Sequence, residues 1–273
     1  MIRAQKRLIL AYLLFLLGLR LSGSVTPPLS SVFYILSYLL PVVFLLAFAG
    51  RNGVDLTVCP PKITGHSFLC SLPLFFPTVL LLFGISALTS LLFGAFGLQG
   101  NTALAGSPAE IFFSYLLLPA LFEEFLFRYL PLSLLAPYGK KGAVLFGALC
   151  FSLTHCDFFQ MPYAFVAGVI FAAVDLAAGS ILPSVLFHFL NNALSVLLLR
   201  YGSEGSFSLL FFASLVLLSL VSVAFLLWKK SHYLALFFPQ KEEKEKVIFT
   251  KSTISLILVC LLFAILRLIS QNP

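Results

Sequence analysis

Long apolar runs separated by short polar breaks cover almost the whole chain. They fall near residues 8–19, 31–50, 67–97, 111–136, 142–157, 162–178, 181–200, 207–228 and 247–269. A helix needs about 20 apolar residues to cross the hydrocarbon of a bilayer, so the pattern predicts an all-α, polytopic transmembrane helix bundle of eight to nine spans. The third run is long and carries Pro73 and Pro77, which predicts a kink or an interfacial start. The first run follows Arg3, Lys6 and Arg7 and ends at Ser22-Gly23-Ser24, in the manner of a signal peptide. Further spans follow it at once, and the expectation is an uncleaved first helix.

Composition sharpens this picture. The chain is 60% hydrophobic and 10% charged, with a mean hydropathy of +1.07, far from the balance of soluble domains. A water-soluble enzyme, a disordered chain, a nucleic-acid-binding domain and a disulfide-stapled secreted module are all excluded. The formal charge of +7 has a different meaning in such a chain, because basic residues mark cytoplasmic loops. On alternate sides of the nine runs, one set of segments holds Arg3, Lys6, Arg7, Arg51, Lys62, Lys140, Lys141, Lys229, Lys230, Lys241, Lys244, Lys246 and Lys251, and the other holds Arg20, Arg200 and Arg267. This asymmetry places the N-terminus in the cytoplasm and the C-terminus outside. The organisation expected is one integral-membrane domain over 1–273. Its motif-bearing core is 108–200, and 201–273 adds further spans around a charged cytoplasmic linker at 229–246. Pro27-Pro28, Pro60-Pro61 and Gly179-Ser180 mark turns. The five cysteines (Cys59, Cys70, Cys150, Cys156, Cys260) show no CxxC spacing and are expected to be small buried hydrophobes.

Candidate chemistry comes from charge where a bilayer resists it. A charged side chain inside a span costs about 2.5–3.5 kcal/mol on insertion scales, so its presence points to function. The fourth run contains Glu123-Glu124 followed by Arg128. Glu124 and Arg128 are four residues apart and so adjoin on one helix face. Successive α-helical positions differ by about 100°, which sends Glu123 elsewhere, unpaired. Phe151 and His155 form an i,i+4 pair in the fifth run, as do His188 and Asn192 in the seventh. An unpaired glutamate, two histidines and an amide on three helices suggest a convergent site. His66 and His232 fall in loops, Asp157 is expected as a solvated helix end, Asp175 as a cap or cavity-lining residue, and Asn191 as spare.

Glu-Glu-x-x-x-Arg at 123–128, Phe-x-x-x-His at 151–155 and His-x-x-x-Asn at 188–192 resemble, in that order, the three motifs of the CPBP (CAAX protease and bacteriocin-processing, or Abi) intramembrane proteases. That family includes the type II CAAX prenyl endopeptidases and bacterial bacteriocin-processing and self-immunity proteins. The stretch 179–192 looks like the family's third-motif region, and the resemblance covers about 108–200. It implies a membrane-embedded peptidase with Glu123, His155, His188 and Asn192 as catalytic residues. It also implies that Glu124 and Arg128 support the site, and that Phe151 packs beside it.

The residues suit that chemistry. Peptide hydrolysis needs an activated water and donors for the oxyanion. Glu123 is the natural general base, His155 a second holder of the water, and His188 with Asn192 the oxyanion donors. No Ser or Cys nucleophile stands with a base, and no aspartate pair is present. Glu123, His155 and His188 are also the ligand types of a catalytic zinc site, but no His-Glu-x-x-His helix supplies them, and a ligating Glu123 leaves no spare base. The expectation is hydrolysis without a required metal, zinc being the alternative. A peptide or membrane-protein substrate and the lipid bilayer are the partners, with no nucleic acid. A catalytically idle immunity or scaffold protein is the other alternative. A transporter, which uses buried charges too, is disfavoured because no repeated halves are visible. One mismatch stands: at about 1.5 Å per residue, Glu123 and His155 lie about 20 Å from their cytoplasmic helix ends, but His188 only about 10 Å. Either the turn at 179–183 is submerged or the helices tilt.

Overall fold

A computed structural model describes residues 1–62, 65–100, 104, 106–229 and 250–271, apart from the side chains of 65–67. The charged run 241–246, most of the linker around it and His232 lie outside the described residues, as does the side chain of His66. All regular structure among the described residues is helical. The helices are α1 (Ile2–Ser24), α2 (Leu29–Arg51), α3 (Gly65–Ser71), α4 (Phe75–Gly94), α5 (Pro108–Ile111), α6 (Leu130–Leu135), α7 (Lys140–Thr154), α8 (Met161–Ala178), α9 (Leu182–Tyr201), α10 (Gly205–Trp228) and α11 (Lys251–Gln271). Between α5 and α6 the chain stays helical through the π-wound segments Phe112–Leu117, Pro119–Glu123 and Phe125–Tyr129, so 108–135 forms one continuous rod.

Seven helices of the described residues are long and apolar enough to cross a membrane: Ile2–Ser24, Leu29–Arg51, Phe68–Gly94, Met161–Ala178, Leu182–Tyr201, Gly205–Trp228 and Lys251–Gln271. The protein is a polytopic helical membrane bundle. The two expected spans outside this set are the rod 108–135, where α and π winding alternate, and α7, with 15 residues. The first carries Glu123, and His155 caps the C-terminal end of the second. The break expected in the third run falls at the single 3-10 turn Leu72–Leu74, which contains Pro73.

The polarity of the bundle is inverted relative to a soluble protein. Leu91, Leu209 and Leu217 are 72%, 72% and 62% exposed, while Glu124, Arg128 and Asp175 are at most 1% exposed. Large apolar side chains on the outside suit lipid; charges are tolerated only where other protein groups surround them. Close helix approach relies on small residues, as is usual when both sides of a contact are apolar. A Cβ on Gly18 of α1 meets Ser37 of α2 at 2.6 Å, and one on Gly168 of α8 meets Ala148 of α7 at 2.8 Å. The inner face of α1 follows the helical period through Ala4, Leu8, Tyr12, Phe15 and Leu16, and Tyr12 stacks on Phe127 of the rod at 4.8 Å. The first helix is thus part of the core. None of the five cysteines is in a disulfide, and all but Cys70 are buried.

Asp157 departs from expectation. It is 4% exposed, 3.0 Å from Arg267 Nη2 of α11, and accepts from the Phe159 backbone N–H and Gln160 Nε2. An ion pair with a residue 110 positions away (267 − 157) has no local sequence signature, and it removes the need for solvent. Both partners, and Arg20, whose guanidinium lies 4.5 Å from the Phe263 ring centre, belong to helix ends that the run count puts on one side.

The α8–α9 turn is packed into the protein. Gly179 takes the left-handed conformation (φ 65°) that ends α8, as glycine does without a Cβ penalty. Ser180 and Ser184 are fully buried and Ile181 nearly so. Asp175 Oδ1 accepts from the Ser184 N–H at 3.1 Å, satisfying one of the free donors at the start of α9. The turn is buried in the protein, and the His188 ring lies at the level of both glutamates, 2.6 Å from Glu124 and 3.9 Å from Glu123.

Candidate active site

Proline shapes the helix that carries the glutamates. Pro119 has no N–H, so neither the α partner of that N–H, the Tyr115 carbonyl, nor its π partner, the Ser114 carbonyl, receives the backbone bond. Both carbonyls are taken up by side chains from other helices. Tyr34 Oη of α2 donates to the Ser114 carbonyl at 2.7 Å, and Asn192 Nδ2 of α9 donates to the Tyr115 carbonyl at 2.9 Å. Pro131 acts alike lower in the rod. The Leu126 carbonyl is 3.5 Å from Tyr12 Oη, and the Phe127 carbonyl would lie 2.6 Å from a Cβ on Gly147. The two breaks therefore fasten α1, α2, α7 and α9 around the segment holding Glu123 and Glu124.

The centre of the site is the His188 imidazole, with a glutamate toward each nitrogen. Its Nδ1 is 2.6 Å from Glu124 Oε1, and its Nε2 is 3.9 Å from Glu123 Oε2. Glu124 Oε1 is also 3.0 Å from Arg128 Nη1. Glu124 pairs with Arg128 and Glu123 leaves in another direction, as the spacing predicts; the contact of Glu124 with His188 is the part that the spacing does not show. Both carboxylates converge on one ring, because a planar imidazole presents its nitrogens to two sides. Their environments still differ: the Glu123 side chain is 14% exposed and that of Glu124 is sealed.

Phe151 joins the remaining groups. Arg128 Cζ sits 3.8 Å above its ring centre, a desolvated cation–π contact. The His155 ring meets it edge-on at 4.8 Å and the His188 ring at 5.9 Å. His155 Nδ1 is 2.8 Å from the Phe151 carbonyl. A carbonyl only accepts, so Nδ1 carries the hydrogen and, in the neutral ring, Nε2 presents a lone pair. Glu123 and His188 both lie within electrostatic range of His155. Asn192 is one turn along α9 from His188, and the Asn191 amide, expected as spare, is 3.5 Å from Asn192 Oδ1.

Glu123, Glu124, Arg128, Phe151, His155 and His188 thus form one cluster, with Asn192 against the same rod two turns before Glu123. Sequence reasoning missed Tyr38, whose hydroxyl donates to Glu123 Oε1 at 3.1 Å, and Tyr34, 3.3 Å from the Tyr38 hydroxyl. Tyrosines in an apolar run carry no signal of their own; only the proline break opposite them hints at polar partners.

Among the described residues no group of three or more His, Cys, Asp or Glu side chains is arranged to hold a metal ion. The donor types of Glu123, His155 and His188 suit zinc, but their placement does not form a ligand set.

Residues 105–194 match the family model for type II CAAX prenyl endopeptidases of the Rce1-like kind, a family of proteases. That segment holds every site residue named above except Tyr34 and Tyr38. Comparison with curated proteins and with solved structures returns no match.

Proposed function

We propose that the protein is an intramembrane endopeptidase that hydrolyses a peptide bond with a water activated by Glu123. One observation carries this reading: of two adjacent glutamates, Glu124 is buried and consumed by Arg128 and His188, whereas Glu123 is partly exposed and keeps Oε2 3.9 Å from the His188 ring. A base needs such an oxygen, close to other site groups but not locked to them. Glu123 takes a proton from the water as its oxygen attacks the carbonyl, with the lone pair of His155 Nε2 accepting the water's other hydrogen. The tetrahedral oxyanion is met by a donor at His188 Nε2, with Glu124 on the ring's other nitrogen, and by the Asn192 amide hydrogen not used on Tyr115. Glu123 then returns its proton to the departing amine.

The match to CAAX endopeptidases supplies the probe. Purified protein in detergent should cleave a fluorogenic farnesylated peptide ending in Cys-aliphatic-aliphatic-X, or an unprenylated transmembrane peptide, with one atom of 18O from labelled water in the new carboxylate. Intact peptides throughout would overturn the reading in favour of a scaffold or immunity protein.

A metal-dependent version has one observation in its favour. Both imidazoles are held through Nδ1, one by a backbone carbonyl and one by a carboxylate, as is usual for metal-ligating histidines. The absence of a ligand set among the described residues argues the other way, and no step here passes through a metal. Extensively chelated, metal-analysed protein should keep its rate. Activity that disappears with stoichiometric zinc and returns on its re-addition would make Glu123, His155 and His188 the ligands.

We place the N-terminus in the cytoplasm and the C-terminus outside from the basic asymmetry. Reporters fused after Lys141 and after Arg200 should report cytoplasmic and external locations; the same signal at both sites would refute the arrangement.

A further inference from the structure

We infer that Tyr38 is a positioning residue for Glu123, tying down one carboxylate oxygen so that the other faces the water. The inference rests on the hydrolytic reading of Glu123 and adds a residue from α2, outside the segment that matches the protease family. Tyr38 is 3% exposed and its hydroxyl is 3.1 Å from Glu123 Oε1. Glu123 Oε2 is the oxygen on the His188 side. The terminal torsion of a glutamate is broad and roughly two-fold, so without a donor on Oε1 the two oxygens would exchange and the reactive lone pair would have no fixed direction.

The tyrosine is itself held from three directions. Its ring packs against Phe15 of α1 at 5.2 Å and Phe122 of the rod at 5.7 Å. Its neighbour Ser37 sits against Gly18, where even a methyl group would collide, which fixes the height of α2. Tyr34, one turn earlier, anchors the same helix to the Ser114 carbonyl left unbonded by Pro119. The hydrogens are accounted for: Tyr34 spends its one on Ser114, and Tyr38 spends its one on Glu123. Apolar packing alone needs no hydroxyl at 38, and a phenylalanine would fill the same space. The hydroxyl is explained by the carboxylate it meets.

The test has two arms. In the first, 3-fluorotyrosine is placed at position 38 and its 19F resonance is followed in micelles. Glu123→Gln should move the signal, and a signal that ignores the substitution overturns the inference whether or not the protein cleaves anything. In the second, cleavage of the farnesylated peptide is measured for Tyr38→Phe, which keeps the ring and its packing. A hydrogen bond to a charged group is lost, and kcat should fall about 10- to 100-fold with KM unchanged. Should Tyr38→Phe fold poorly, Tyr34→Phe removes the anchor behind it, and a smaller fall in kcat is expected. A rise in KM at constant kcat, or wild-type kinetics in both variants, overturns the positioning role. Retained activity in Glu123→Gln would instead remove the general-base reading, while the fluorine arm still decides whether Tyr38 addresses Glu123.

Discussion

Glu123→Gln should abolish peptide cleavage while the protein remains monodisperse in detergent with an unchanged thermal midpoint. The substitution conserves volume, and the amide oxygen can still accept from Tyr38, so the packing between α2 and the rod survives. What is lost is a lone pair able to take a proton from water. General-base catalysis is worth about 10²- to 10⁴-fold, so the rate should drop at least that far in kcat. Glu123→Asp should be intermediate: the base remains but stands one methylene further back, away from Tyr38 and from the water. A fully active Gln variant would show that the water is activated elsewhere, and the chelation experiment would then decide whether a metal does it.

Much of this site is legible in the amino-acid sequence, for a physical reason. A bilayer makes each buried charge expensive, so the few present stand out against an apolar background, and their i,i+4 spacing says which share a face. Glu124 beside Arg128 follows from helix geometry alone. The approximate positions of the helices follow from the apolar runs, since length and hydropathy are what a membrane selects. The failures share a cause as well. The convergence of Glu123 and Glu124 on His188 depends on where a third element enters. The buried turn at 180–181 depends on Asp175 and two serines finding partners inside the protein. Asp157 escapes solvent through Arg267, and Tyr38 reaches Glu123 across 85 residues. Local periodicity contains none of these contacts.

Pro119 and Pro131 belong between these two groups. Each is visible in the sequence as a helix breaker inside an apolar run, yet neither breaks the rod. The helix continues because carbonyls freed by each proline meet tyrosines and an asparagine from neighbouring helices, or a glycine that lets a helix close in. Membrane helices tolerate proline on this condition. The bonds that repair the helix also tie α2 and α9 to the rod that carries the glutamates.

The largest stability effect should come from Glu124→Ala. Glu124 is the carboxylate partner of Arg128, and it holds His188 Nδ1 at 2.6 Å. Among the described residues the guanidinium has no aligned hydrogen bond; it is held by the carboxylate and by the faces of Phe151 and Phe171. Removing one partner of a buried pair strands the other charge at a cost of about 3–5 kcal/mol, and a thermal midpoint well below wild type should result. Replacing both members of the pair by apolar groups of similar volume is less costly, because no unpaired guanidinium remains and only His188 Nδ1 loses its partner. The double variant Glu124→Leu, Arg128→Met should therefore regain most of the lost thermal stability, the non-additivity expected of residues in contact. It should not regain activity, since His188 still lacks the carboxylate that orients its ring toward Glu123. A stable single Glu124→Ala variant would show that Arg128 is solvated or paired elsewhere. A double variant restored in both stability and activity would show that Glu124 serves the fold alone.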